Sequence, residues 1–372
     1  MKKFEFLHNP EHDLLKFCDK YSHILLYGAG RLGKNMLDYL KRYNKHVDGF
    51  VVSDGQPAVD SVDGIPVYTC SAIPYNSRDT GVFLSLNPFA DIAINNLKKY
   101  GFNNARPLSE DEEYLVELES HSVRINVCLR EKGIDTSKSV LDFKKFKMVN
   151  PWFLNKEILL SFLWESMDLV LPVLGNNSLI DEGPYEFEKI RLQQGDVVFD
   201  CGANIGIFSV YAAAQNCKVY SFEPTPNTID VLKKNQELYS ENIIIVPQAV
   251  SDKNGTIPFY CYSKMHTANR ILDNYKQYKL TQMIDVPTTT LDSFVEEKNI
   301  SRVNFIKADI EGAERQLLKG AKNILKRYAP KLAICTYHLP DDKEVLEKLI
   351  LEANADYHIV YKYKKLYAYV RN

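Results

Sequence analysis

The residues that can do chemistry in this chain stand at the ends of short apolar runs. Val197-Val-Phe leads into Asp200-Cys-Gly-Ala-Asn-Ile-Gly206, an acid followed by a glycine turn. Lys218-Val-Tyr-Ser-Phe222 ends in Glu223. Asn304-Phe-Ile-Lys-Ala308 ends in Asp309, with Glu311 and Glu314 close behind, and Lys331 to Tyr337 ends in His338. In an open α/β sheet, ligands bind outside the carboxyl ends of the strands, so these acids and the imidazole are expected to line one crevice.

The ligand can be read from the turn. A dinucleotide turn has the form G-x-G-x-x-G and sets a pyrophosphate on a helix N-terminus. Here the pattern is Asp-x-Gly-x-x-x-Gly, and a carboxylate in that place repels phosphate but suits a cation. S-adenosylmethionine carries a sulfonium and an ammonium and no phosphate. Asp200, Gly202, Ala203, Asn204 and Gly206, together with Asp309, are the residues expected to face that cofactor. Glu223, at the tip of the next strand, can accept hydrogen bonds from both ribose hydroxyls. Val250, with Gln248, ends the third strand-like run, Asn242–Val250, where the adenine would lie. The bland alternative is that Asp200 caps the following helix and Glu223 is a solvated turn acid.

A second glycine turn, Gly28-Ala-Gly-Arg-Leu-Gly33, is a true G-x-G-x-x-G between the strand His23–Tyr27 and the helix Lys34–Tyr43, with Asp54 at the position of a ribose-binding acid. That motif alone is weak, because the same glycines allow a helix to pack on a strand. NAD is not the expected ligand. The segment resembles the small Rossmann-like domains that precede sugar-modifying enzymes, and that resemblance implies binding of part of a nucleotide-sugar or a docking role.

Composition narrows the rest. The net charge of −2 gives no electrostatic pull towards nucleic acid or a membrane surface. The 7 cysteines are scattered with no C-x-x-C pair, which speaks against a zinc knuckle or a disulfide framework and for a reducing cytoplasm. No run reaches the roughly 20 apolar residues of a membrane span. The 372 residues divide into an N-terminal Rossmann-like α/β domain (1–106), a helical connecting region (107–184) and a main α/β domain (185–372). In the connecting region Glu157–Leu174 is apolar enough to be a helix that packs between domains, covers the site or forms a homodimer face. Glu182 and Tyr185 directly precede the first main strand and are expected to lie over the cofactor. The loop Lys264–Gln282, with His266, has the composition of a substrate-facing or mobile surface.

From Asp200 to His338 the chain resembles the FkbM family of S-adenosylmethionine-dependent methyltransferases. The resemblance rests on Asp200-Cys-Gly-Ala-Asn-Ile-Gly206, Phe222-Glu-Pro224, Thr290-Leu-Asp292 and Lys307-Ala-Asp-Ile-Glu-Gly-Ala-Glu314. It implies a class I methyltransferase-type, mostly parallel seven-stranded sheet with one antiparallel strand supplied by the final hairpin. It also implies methylation of a hydroxyl on a sugar, glycan or natural product. Where the family commonly has an acid two residues before the fifth-strand His, this chain has Thr336. An alcohol acceptor needs a base. His338, which ordinarily titrates near neutrality, is the first candidate. Asp309, partnered by Glu311, is the second, either orienting the hydroxyl or holding a divalent metal. His266 is a distant third. The competing readings are an NAD-dependent nucleotide-sugar enzyme and a non-catalytic member of a biosynthetic complex.

Overall fold

The computed structural model describes residues 10–56, 59–85, 90–262, 269, 271 and 280–371. Its contacts divide the chain into two compact units, Met1–Arg124 and Ile125–Asn372. Among the described residues no helix is long and apolar enough to cross a membrane.

The first unit is built on a six-stranded sheet around His23–Tyr27, which pairs in parallel with Gly49–Val52 on one side and Thr80–Leu84 on the other. Both Leu25 and Leu26 are fully buried, so apolar side chains cover both faces of this central strand. The glycine turn serves that packing: a Cβ on Gly33 would lie 2.0 Å from the Gly28 carbonyl oxygen. Asp54 is bound within the unit. One oxygen accepts from Ser71 N (3.0 Å) and Ser71 Oγ (2.8 Å), the other from Tyr100 Oη (2.7 Å).

The second unit carries a seven-stranded sheet. In chain order its strands are β1 (Val197–Cys201), β2 (Lys218–Phe222), β3 (Ile243–Val246), β4 (Phe305–Ala308), β5 (Lys331–Cys335), β6 (Tyr357–Lys362) and β7 (Lys365–Val370). Their spatial order is β3-β2-β1-β4-β5-β7-β6, and β7 alone runs antiparallel to its neighbours. The order reverses between β1 and β4, which makes the crevice outside those two tips the switch point where ligands bind. This is the class I methyltransferase fold, with the reversed strand in the hairpin where it was expected.

Some expected elements end differently. The run Asn242–Val250 is not one strand. Pro247 has no N–H to give the ladder, so β3 stops at Val246, and Ala249–Val250 joins a separate three-stranded sheet with Gly255–Tyr262 and Leu280–Thr289. His266 and most of the loop around it lie outside the described residues. The apolar stretch beginning near Glu157 is an α-helix, Lys156–Glu165, that continues as a π-helical turn, Ser166–Val170.

The Thr290-Leu-Asp292 segment has a structural account. Thr290 Oγ1 accepts from Ser293 N (3.0 Å) and so caps its own helix. The Asp292 carboxylate accepts from Asn323 N and Ile324 N, both at 2.9 Å, and caps the first turn of the helix Lys322–Arg327. Replacing Asp292 by Ala leaves those two amides without that carboxylate, a loss of about 1–2 kcal/mol. Thermal unfolding followed by circular dichroism should drop by several degrees, with ligand affinity unchanged.

Candidate active site at the strand tips

The glycine turn is held from below. Gly202 N and Ala203 N both donate to Phe222 O at 3.0 Å, so the turn is bonded to the tip of β2. Gly202 adopts φ +76, and a Cβ there would meet the Asp309 carbonyl oxygen at 1.9 Å, so only glycine lets β1 and β4 approach this closely. Asn204 N donates to Glu223 Oε2 (2.9 Å), and Thr225 N donates to Glu223 Oε1 (2.8 Å). Each carboxylate oxygen keeps a lone pair for a second donor. Glu223 therefore stands beside the turn with the acceptor capacity that a pair of vicinal hydroxyls would use.

Asp200 is placed differently from the expectation that it faces the ligand. It is fully buried beneath the turn, where Oδ2 accepts from Ser209 Oγ (2.6 Å) and Oδ1 pairs with Lys307 Nζ (3.1 Å). Lys307 Nζ also donates to Gly202 O at 2.6 Å. Burial pulls the Lys307 ammonium down, but Asp200, Asp309 and Glu165 outweigh it and hold the group firmly charged. Asp200 thus supports the turn from below, through Lys307.

The other side of the crevice is made by the tips of β4 and β5. Asp309 Oδ2 accepts from Tyr185 Oη (2.7 Å), while Oδ1 is buried with no hydrogen-bond partner. Burial raises the Asp309 carboxyl, but Lys307, His338 and Lys365 together hold it below the ordinary carboxylate range. His338 is sunk among acids: Nδ1 lies 3.1 Å from Glu314, and Nε2 lies 3.5 Å from Glu311 and 3.8 Å from Asp309. Burial disfavours its charged form, yet Glu314, Glu311 and Asp309 overcome that and raise it to about 10. That lies above the near-neutral value expected of an isolated imidazole. At neutral pH His338 is an imidazolium, and in that form it cannot take a proton.

Glu314 opens the helix Glu314–Lys319, and its oxygens accept from Ile310 N (2.9 Å) and Gly312 N (3.0 Å) in the preceding loop. Asp309, Glu314 and His338 offer ligand atoms within 4.8 Å of one another. Within this set both Glu314 oxygens already accept backbone amides, from Ile310 and Gly312.

Sequence reasoning missed several contributors. Glu165 Oε1 accepts from Asn204 Nδ2 at 2.6 Å. Asp168 Oδ1 accepts from three successive amides, Asp181, Glu182 and Gly183, at 2.7–3.0 Å, and fixes the loop that carries Glu182 and Tyr185. Lys307 and Lys365 both lie over the Tyr185 ring, 5.2 and 4.6 Å from its centroid. Glu182, expected above the cofactor, has an oxygen within 4.8 Å of one on Asp309. Burial and the charge of Asp309 raise the Glu182 carboxyl to about 7. An acid closing an otherwise apolar helix, as Glu165 does, was the available signal. Lys365 gave none, since a hairpin lysine ordinarily points to solvent. Val250 is buried in the small sheet that follows β3.

Known proteins share this half of the chain. The family model described as the methyltransferase FkbM domain matches residues 200–359. The hexuronic acid methyltransferase AglP of Haloferax volcanii is 29% identical over 174 residues, which cover 45% of this chain and 69% of that protein. The 31-O-demethyl-FK506 methyltransferase FkbM of Streptomyces tacrolimicus is 26% identical over 162 residues, 36% of this chain and 62% of that one. A crystal structure of Methyltransferase FkbM from Methylobacillus flagellatus KT superposes with a TM-score of 0.43 at 15% identity, over 97% of this chain and 99% of that one. By the family-model match, residues 200–359 of this chain are an FkbM methyltransferase domain.

Proposed function

We propose that the protein transfers a methyl group from S-adenosylmethionine to a hydroxyl on a sugar unit of a glycan or glycosylated product. The observation that carries this reading is the pairing across one crevice of a phosphate-free, acid-backed glycine turn with Asp309 and His338. AglP, a hexuronic acid methyltransferase, supports the sugar, and the FkbM relative, which acts on a 31-O-demethyl compound, supports oxygen as the acceptor atom. When bound, S-adenosylmethionine supplies an electrophilic methyl on a sulfonium.

The chain's residues divide the task. Gly202 to Gly206 and Glu223 would hold the nucleoside, with Asp200 and Lys307 fixing the height of the turn. Asp309 Oδ1, buried and open, is the acceptor offered to the substrate hydroxyl. It orients that hydroxyl and takes its proton as the carbon–oxygen bond forms. His338, as an imidazolium beside both Asp309 and Glu311, helps to hold the Asp309 carboxyl below the ordinary range. Most of the rate comes from this alignment, because fixing two partners in line can be worth effective molarities of about 10⁵ M or more.

The sign of the His338 shift makes the assignment testable. Its folded-state pKa is raised, so its charge-pair stabilisation is complete below the unfolded value near 6.5 and is lost as pH rises through about 10. Turnover should stay level from pH 7 to 9 and fall as the imidazolium is lost. A neutral imidazole acting as base would instead give a rate climbing about tenfold per pH unit towards 10, and a pH–rate profile of kcat decides between them. Glu223→Ala should weaken S-adenosylmethionine binding by roughly 10- to 100-fold, the worth of hydrogen bonds to a charged group. Titration calorimetry with S-adenosylmethionine and, separately, NADH checks this. Heat from NADH alone would refute the proposed donor.

A further inference from the structure

The crevice holds an acid that the reaction outlined above does not use. Glu165, on the helix Lys156–Glu165, meets Asn204 of the glycine turn through the 2.6 Å bond from Asn204 Nδ2 to Glu165 Oε1. The other end of the same amide, Asn204 Oδ1, is buried and accepts no hydrogen bond. Asn204 N is bonded to Glu223, so one residue links the ribose-side acid to Glu165. The charged groups facing Glu165 are Lys307, Asp200 and Asp309, which is one cation against two further acids.

We propose that Glu165 and Asn204 receive the α-ammonium of the methyl donor, an assignment that rests on S-adenosylmethionine being that donor. An ammonium brings three N–H donors and a full charge, so it satisfies the open Asn204 oxygen and offsets the surplus of acid. A sulfonium has no N–H and can do only the second. The two cations of the donor are thereby distinguished, and the ammonium belongs here.

A proton is coupled to this step. In the free protein, burial together with Asp200 and Asp309 outweighs Lys307 and raises the Glu165 carboxyl to about 8, so it is neutral at pH 7. An arriving ammonium reverses that balance. The carboxyl ionises and its proton passes to the buffer. At pH 7.0 roughly 0.9 proton leaves Glu165, while the ligand's own amine, with an ordinary α-amino pKa of ~7.8, takes up roughly 0.1–0.2.

Titration calorimetry of the full chain at pH 7.0, in phosphate and in Tris, reads the net proton from the difference in apparent enthalpy. Wild type should release about 0.7 proton on binding S-adenosylmethionine, and the same on binding S-adenosylhomocysteine, which keeps the amine but not the sulfonium. It should release none with 5′-methylthioadenosine, which lacks the amino-acid portion. Glu165→Gln retains an oxygen for the Asn204 bond, should fold as wild type by circular dichroism, and should bind about tenfold more weakly with a slight proton uptake. Tight binding by wild type with no proton released, or unchanged release in Glu165→Gln, would overturn the Glu165 assignment alone. Release with S-adenosylmethionine but not S-adenosylhomocysteine would also overturn it, in favour of the sulfonium. Absence of any binding would instead remove the donor proposed above.

Discussion

The buried pair of Lys307 and Asp200 is the constraint on which the site depends. The Lys307 side chain is 5% exposed and the Asp200 side chain 0%, so the pair sits where charges are costly. Such a pair is tolerated only with its remaining hydrogen bonds met. Here Lys307 completes itself on the Gly202 carbonyl and Asp200 on Ser209. These bonds join the tip of β1, the strand β4 and the first turn of the helix Ile207–Ala213. Breaking such a buried pair from one side leaves an uncompensated charge, typically costing 3–5 kcal/mol. The same contacts place Gly202 directly against the Asp309 backbone, so the donor side and the acceptor side share one foundation.

Charge balance then explains the unusual titration of the rest. Asp309 faces Lys307 on one side and His338 on the other, and is held ionised by both. His338, pressed against Glu314 and Glu311, is held protonated in return. Glu165 and Glu182 are left without a cation of their own strong enough to offset burial, and their carboxyls rise towards neutrality. One crevice thus holds a carboxyl kept below the ordinary range, Asp309, and two raised above it, Glu165 and Glu182.

Much of this was legible in the sequence because it is local. An apolar run, an acid and glycines at fixed spacing specify a strand and a turn whatever surrounds them, and the final hairpin announces itself by alternation. The break at Pro247 was equally local and was missed because an apolar run on both sides suggests one continuous strand. Other features depend on contacts far apart in the chain. Tyr185 meets Asp309 across 124 positions, and no spacing rule spans that distance. His338 looked like a base because an isolated imidazole titrates near neutrality. Its true state depends on Glu311 and Glu314, which lie close to it only because β4 and β5 are neighbours. Thr290-Leu-Asp292 illustrates the reverse error, since a segment that helps identify the family turns out to cap two helices.

The π-helical turn Ser166–Val170 completes the argument about how the two sides of the crevice are kept in register. Such turns insert an extra residue into a helix and recur at functional sites. On one side of it Glu165 is bonded to Asn204 in the turn proposed to hold the donor. Within it Asp168 gathers the amides of Asp181, Glu182 and Gly183, the loop from which Tyr185 reaches Asp309. In a regular helix, residues three apart share a face. The widened turn lets two acids three apart serve two different partners. This one segment is therefore bonded both to the glycine turn and to the loop that carries Tyr185.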